Sequence, residues 1–112
     1  MRRRVVITGM GIVTSLGATL DEFWDSLMSG KSGVSLIDSF DVSDYPTRIA
    51  ASIKNFDPED YMDKKEARRM DRFVQFALAA AKMALQDADL KIGEDAAAER
   101  VGVIVGSGIG GL

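Results

Sequence analysis

The chain has 112 residues, of which 46% are hydrophobic and 28% charged, with a formal net charge of −3. That is the composition of one modest globular domain; it excludes a disordered chain, and the acidic balance argues against generic binding of nucleic acid through a basic surface. There is no cysteine and no histidine, which removes disulfides, thiolate nucleophiles, cysteine-based metal sites and the commonest acid–base side chain at neutral pH.

Arg2, Arg3 and Arg4 precede Val5, Val6 and Ile7, an arrangement that superficially suggests a secretory leader. Thr8, Gly9 and Gly11 interrupt the apolar run and no small-residue cleavage site follows, so the reading is a basic lead into a buried strand, residues 5–8, of a cytoplasmic protein. No apolar run approaches the roughly 18 residues a membrane span needs. The next segment, residues 9–18, carries Gly9, Gly11 and Gly17 and is a tight connection. Thr19 with Glu22 three residues later is a capping box, and Leu20, Phe23, Trp24, Leu27 and Met28 recur at helical spacing, with Trp24 as a core anchor and Gly30 placed to stop the helix.

Residues 31–46 are irregular, rich in Ser, Gly and Asp, and residues 48–53 carry a strand-like alternation of Ile49, Ala51 and Ile53. Asp57 before Pro58 opens one short helical turn, and Asp63 with Glu66 three residues later opens a further helical stretch. From Asp71 the chain turns apolar over most of a helical circumference, with Arg72, Gln75, Ala79, Lys82, Gln86 and Asp89 on one narrow, mostly polar stripe. A helix of that kind has to be buried on several sides, which a domain of this size scarcely allows. Residues 101–105 read as a clear second strand, running into Gly106, Gly108, Gly110 and Gly111. The order of elements is α/β in class.

The glycine run fits the letter of the dinucleotide fingerprint, Gly106-x-Gly108-x-x-Gly111 after a strand. Its mechanism needs a helix opening at the last glycine and an acidic residue about 20 positions on. Leu112 follows directly, so neither is in the sequence. Whatever its role, such a loop has no side-chain bulk, and something is expected to approach its backbone closely. A domain does not naturally stop there, and the expectation is a segment of something larger.

Four blocks carry a resemblance. Val5-Val6-Ile7-Thr8-Gly9-Met10-Gly11, Gly30-Lys31-Ser32-Gly33-Val34, Lys64-Lys65-Glu66-Ala67-Arg68-Arg69-Met70-Asp71-Arg72-Phe73 and the stretch from Arg100 to Leu112 resemble β-ketoacyl-[acyl-carrier-protein] synthases, in order and in register along essentially the whole chain. Ile109 between glycines, with the residues from Lys65 to Arg72, is similar to the type II branch; ketosynthase domains of polyketide synthases share parts of the pattern.

The resemblance implies a thiolase-like fold of two similar α/β halves, usually a homodimer, with residues 1–112 as the N-terminal segment of the N-terminal domain. It implies an acyltransferase of fatty-acid biosynthesis that condenses an acyl chain, held on a cysteine, with malonyl-acyl carrier protein, without a resident cofactor or metal. The family's cysteine and two histidines lie beyond Leu112, so these residues alone are not expected to be active. Two features carry over within the segment. Ile109, on the loop with Gly108, matches the position lining the end of the acyl pocket. Lys65, Arg68 and Arg69, continued by Arg72, match a cationic surface for the acidic carrier protein; on composition alone they are a solvated face balanced by Asp63, Glu66 and Asp71. Two other readings stand beside this one: a nucleotide-binding α/β enzyme using the 106–111 loop, and a non-catalytic module that holds an acidic partner on the basic helix.

Overall fold

The computed structural model describes residues 2–111. They fall into two compact units, one of residues 12–56 and the other of residues up to 11 together with those from 57 onward.

In the 12–56 unit, helix α1 spans Leu20–Met28. The Thr19 hydroxyl accepts from the Glu22 amide at 3.3 Å, and the Glu22 carboxylate reaches back to the Ala18 amide at 3.0 Å. The expected capping box is therefore present, displaced by one residue on its return arm. The helix closes with Gly30 at φ +68, its N–H on the Leu27 carbonyl and the Lys31 N–H on that of Ser26, a Schellman turn. Leu20, Phe23 and Ser26 are half-buried, and the Ser26 hydroxyl donates to the Leu16 carbonyl at 2.9 Å. Trp24 is 58% exposed. The packed face of α1 is thus centred on Phe23, and Trp24 sits on its far flank rather than anchoring a core.

Strands β1 (Ser35–Leu36) and β2 (Ile49–Ala50) pair antiparallel, Ser35 with Ala50 and Leu36 with Ile49. The pairing extends by the Ile37 amide on the Arg48 carbonyl at 3.0 Å. The strand expected over residues 48–53 is therefore real but short, and its partner lies in the stretch expected to be irregular, where Ser35 and Leu36 carry little strand signal of their own.

In the other unit, Asp57 caps a single 3₁₀ turn, Pro58–Asp60, accepting from the Glu59 amide at 2.9 Å. Helix α2, Lys64–Ala67, is opened by Asp63, whose carboxylate accepts from the amides of Lys65 and Glu66 at 2.7 and 3.3 Å. Helix α3, Arg72–Asp87, follows. Its two buried side chains are Gln75 and Ala79, both on the stripe that looks polar in the sequence. The middle of that stripe is a seam: Gln75 donates to the carbonyls of Ala67 and Met70, and the exposed Lys82 ammonium donates to the Tyr61 carbonyl, while Arg72, Gln86 and Asp89 are exposed. Arg72 leans over the Phe76 ring, 5.1 Å from its centroid.

Gly9 and Gly11 lie directly on α3. A Cβ at Gly9 would collide with the backbone at Ala84 and Ala88, and one at Gly11 with the Ala80 carbonyl and the Met83 side chain. Between them the Met10 amide donates to the Asp87 carboxylate at 2.9 Å. Neither glycine has a positive φ, so they serve close approach to a helix rather than turning.

Residues 5–8 and 101–105 form no strand pairing among the described residues, and Val5, Val6, Ile7, Val103, Ile104 and Val105 are all exposed. The β-branched pattern is a strand signal, but a strand exists only against a neighbour that completes its hydrogen bonds, and no described residue supplies one.

Candidate functional site

The cationic candidates lie on α2 and the turn after it. Asp63 sets the direction of α2 by taking its first free amides. Arg68 is the C-cap residue, and the turn continues with the Arg69 amide on the Glu66 carbonyl at 2.9 Å and the Met70 amide on that of Ala67 at 3.3 Å. Ala67 faces inward and is buried, while Lys65, Arg68 and Arg69 point outward and are exposed. Helical spacing would set them on neighbouring faces of one helix, but only Lys65 is on α2; Arg68 and Arg69 lie in the turn that follows it.

None of the three forms an ion pair among the described residues, in contrast to Lys64, which pairs with Glu59 at 3.1 Å. Asp63 is occupied by the amides of α2. The carboxylate of Asp71 caps nothing on α3 and lies instead against Gly111, where any Cβ would strike it. The balancing of the basic residues by Asp63 and Asp71 therefore does not occur through contact. Arg72 is separated from the other cations in its environment, stacked on Phe76.

The glycine-rich stretch has a different character. A Cβ at Gly106 or at Gly108 would meet open space. Gly110, at φ +80, stands near the Phe73 ring, and at Gly111 alone of the four a Cβ would displace a neighbour, the exposed Asp71 carboxylate. Ile109 is 77% exposed, with Gly108 beside it also exposed. The close approach expected of the whole loop thus occurs at its end, through Asp71. The sequence signal available for that contact was the absence of any side chain at Gly111. Among the described residues no group of three or more Asp or Glu could hold a metal ion, and no helix is long and apolar enough to cross a membrane.

Residues 2–112 match the family model of the β-ketoacyl synthase N-terminal domain. The chain belongs to that family. Among curated relatives it is 49% identical over 111 residues to 3-oxoacyl-[acyl-carrier-protein] synthase 2 of Vibrio cholerae and 50% identical to the synthases 2 of Vibrio harveyi and Coxiella burnetii. These alignments take in 99% of this chain but only 26–27% of each relative, so the chain spans about a quarter of their length. Among solved structures it is similar to the ishigamide ketosynthase/chain length factor, with a TM-score of 0.75, 36% identity, and 85% of this chain and 23% of that one covered. A β-ketoacyl synthase from Burkholderia phymatum matches with a TM-score of 0.66 at 34% identity, over 83% of this chain and 23% of that one. The fold is accordingly the mixed α/β, thiolase-like ketosynthase fold, in its N-terminal portion.

Proposed function

We propose that residues 1–112 are the N-terminal segment of the N-terminal domain of a cytoplasmic 3-oxoacyl-[acyl-carrier-protein] synthase of the type 2 kind. The observation that carries this reading is the 46–50% identity, along nearly the whole chain, to synthases 2 from bacteria as different as Vibrio, Coxiella and Synechocystis. The whole protein would take an acyl group onto a cysteine as a thioester. Loss of CO2 from malonyl-carrier protein would then leave a carbanion equivalent that attacks that thioester, forming the new carbon–carbon bond and releasing the cysteine thiolate. The cysteine and the two histidines that assist it would lie beyond Leu112, and the working unit would be a homodimer.

Within the segment, Lys65, Arg68 and Arg69 are the docking surface for acyl carrier protein. Three exposed cations close together in sequence, without an ion pair among the described residues, suit an acidic protein and would steer its encounter and fix its orientation. Ile109, with Gly108, sets the end of the acyl pocket. The glycines on either side of it leave its branched side chain as the only bulk on the loop.

The test is carrier-protein binding by the full-length polypeptide that carries these residues, with Arg68→Glu and Arg69→Glu variants. Affinity should fall roughly tenfold at low ionic strength, and the difference should shrink toward about 0.5 M salt as screening removes the steering. Unchanged affinity at low salt would remove the docking assignment. Absence of condensing activity in the unsubstituted full-length protein would remove the enzymatic one.

A further inference from the structure

Gln75 is 8% exposed, on the inner face of α3. Its Nε2 donates to the Ala67 carbonyl at 2.8 Å and to that of Met70 at 3.3 Å. Its Oε1 is buried without a hydrogen-bond partner among the described residues. Two carbonyl acceptors at one end of the amide require the NH2 group to be there, since the reverse orientation would set oxygen against oxygen. An amide buried with one end doubly satisfied and the other unmet costs stability relative to an apolar side chain of the same shape. What the residue provides in return is geometric.

The two carbonyls it holds belong to the residues immediately before and after the Arg68–Arg69 pair. That turn has little of its own to keep it in shape. α2 is four residues long, far below the length at which a helix holds itself. Beyond it, the turn rests on the Arg69 and Met70 amide bonds to Glu66 and Ala67. Lys82, two turns further along the same stripe of α3, ties down the other side of the segment at the Tyr61 carbonyl.

We infer that Gln75 is the positioning residue of the cationic docking surface: its amide clamps the carbonyls that bracket Arg68 and Arg69 and so holds the backbone from which both guanidinium side chains project. This rests on the docking role proposed above for those cations. Fixing the turn from behind lowers the ordering cost of association, which is where a preorganised surface gains affinity.

The test uses the full-length protein and two variants without the donor, Gln75→Met and Gln75→Leu. Gln75→Met keeps the side chain's length, so it carries the test if the shorter, branched Gln75→Leu fails to fold. The dissociation constant for acyl carrier protein should rise about fivefold, the equivalent of one net hydrogen bond. kcat/KM on carrier-bound substrate should fall by a similar factor more than on the same acyl group carried by free pantetheine, which does not need the docking surface. Amide exchange at Arg69 and Met70 should quicken relative to the middle of α3.

An equal loss on both substrates would assign Gln75 to general packing and overturn the inference. Fast exchange at Arg69 and Met70 in the unsubstituted protein would overturn it without any variant. If Arg68→Glu weakens binding and Gln75→Met does not, the positioning role fails while the docking surface stands. If Arg68→Glu has no effect, the docking reading has failed and takes this inference with it.

Discussion

Helices α1 and α3 end on the same backbone device built from different residues. α1 turns at Gly30 with φ +68, whereas α3 turns at Asp89 with φ +48, its N–H on the Gln86 carbonyl and the Leu90 N–H on that of Leu85. Both are Schellman closures, but only glycine enters the left-handed region without steric cost. Gly30→Ala should therefore lower stability by about 1 kcal/mol, and Asp89→Gly should raise it by a few tenths, both read as shifts in the midpoint of denaturant unfolding. The same scale governs Ile109. If Ile109 ends the acyl pocket as proposed, a larger side chain there shortens the space for an acyl tail, and Ile109→Phe in the full-length protein should depress kcat/KM for long acyl primers roughly tenfold more than for short ones. Equal rates across chain lengths would remove Ile109 from the pocket.

At the scale of elements, the ribbon of β1 and β2 is flanked by an ion pair, Lys54 to Asp38 at 2.6 Å. The hydrogen bond from Lys54 and then its charge hold the Asp38 carboxyl below the ordinary aspartate value of 3.8. Because the folded value is the lower one, the unfolded chain takes up the proton first as pH falls. The contribution of the pair is whole above about pH 4 and is lost as pH drops through the folded value. A titration of the Asp38 carboxyl followed by NMR should move up toward the ordinary value in Lys54→Met; an unmoved titration would mean that the pair does not persist in solution. Asp41 is lowered independently, by the hydroxyl and amide of Ser43, and should titrate unchanged in that variant.

Elements also show how far the sequence could be read. Capping residues announce themselves, because Thr19, Asp57 and Asp63 act on amides two or three positions away. Local chemistry of that kind survives any tertiary context. The polar stripe of α3 misled for the opposite reason. Gln75 is polar because it meets carbonyls of the segment from 61 to 70 and is shut away from water, while Lys82 reaches the same segment from an exposed position. Periodicity reports which residues share a face, and not what that face touches.

For the molecule as a whole, the family and its α/β fold were legible through four short blocks in register, all now within a single match from residue 2 to 112. The cationic residues were legible as a cluster, but their lack of ion pairs among the described residues was not, since it depends on where the side chains of Asp63 and Asp71 are directed. The two strands illustrate the remaining gap. Val, Ile and Gly between residues 101 and 106 state a preference for extended backbone, and the hydrogen bonds that would realise it are not local.

Those unpaired residues have a practical consequence. Ile104 is 99% exposed, between Val103 and Val105, and the window from 101 to 106 contains no charge and no proline. Short stretches of that kind are templates for intermolecular β-stacking. Produced as a separate polypeptide, residues 1–112 would be driven toward inclusion bodies by this window. Whatever docks on it in the complete protein would therefore act as a guard of solubility as well as a structural partner.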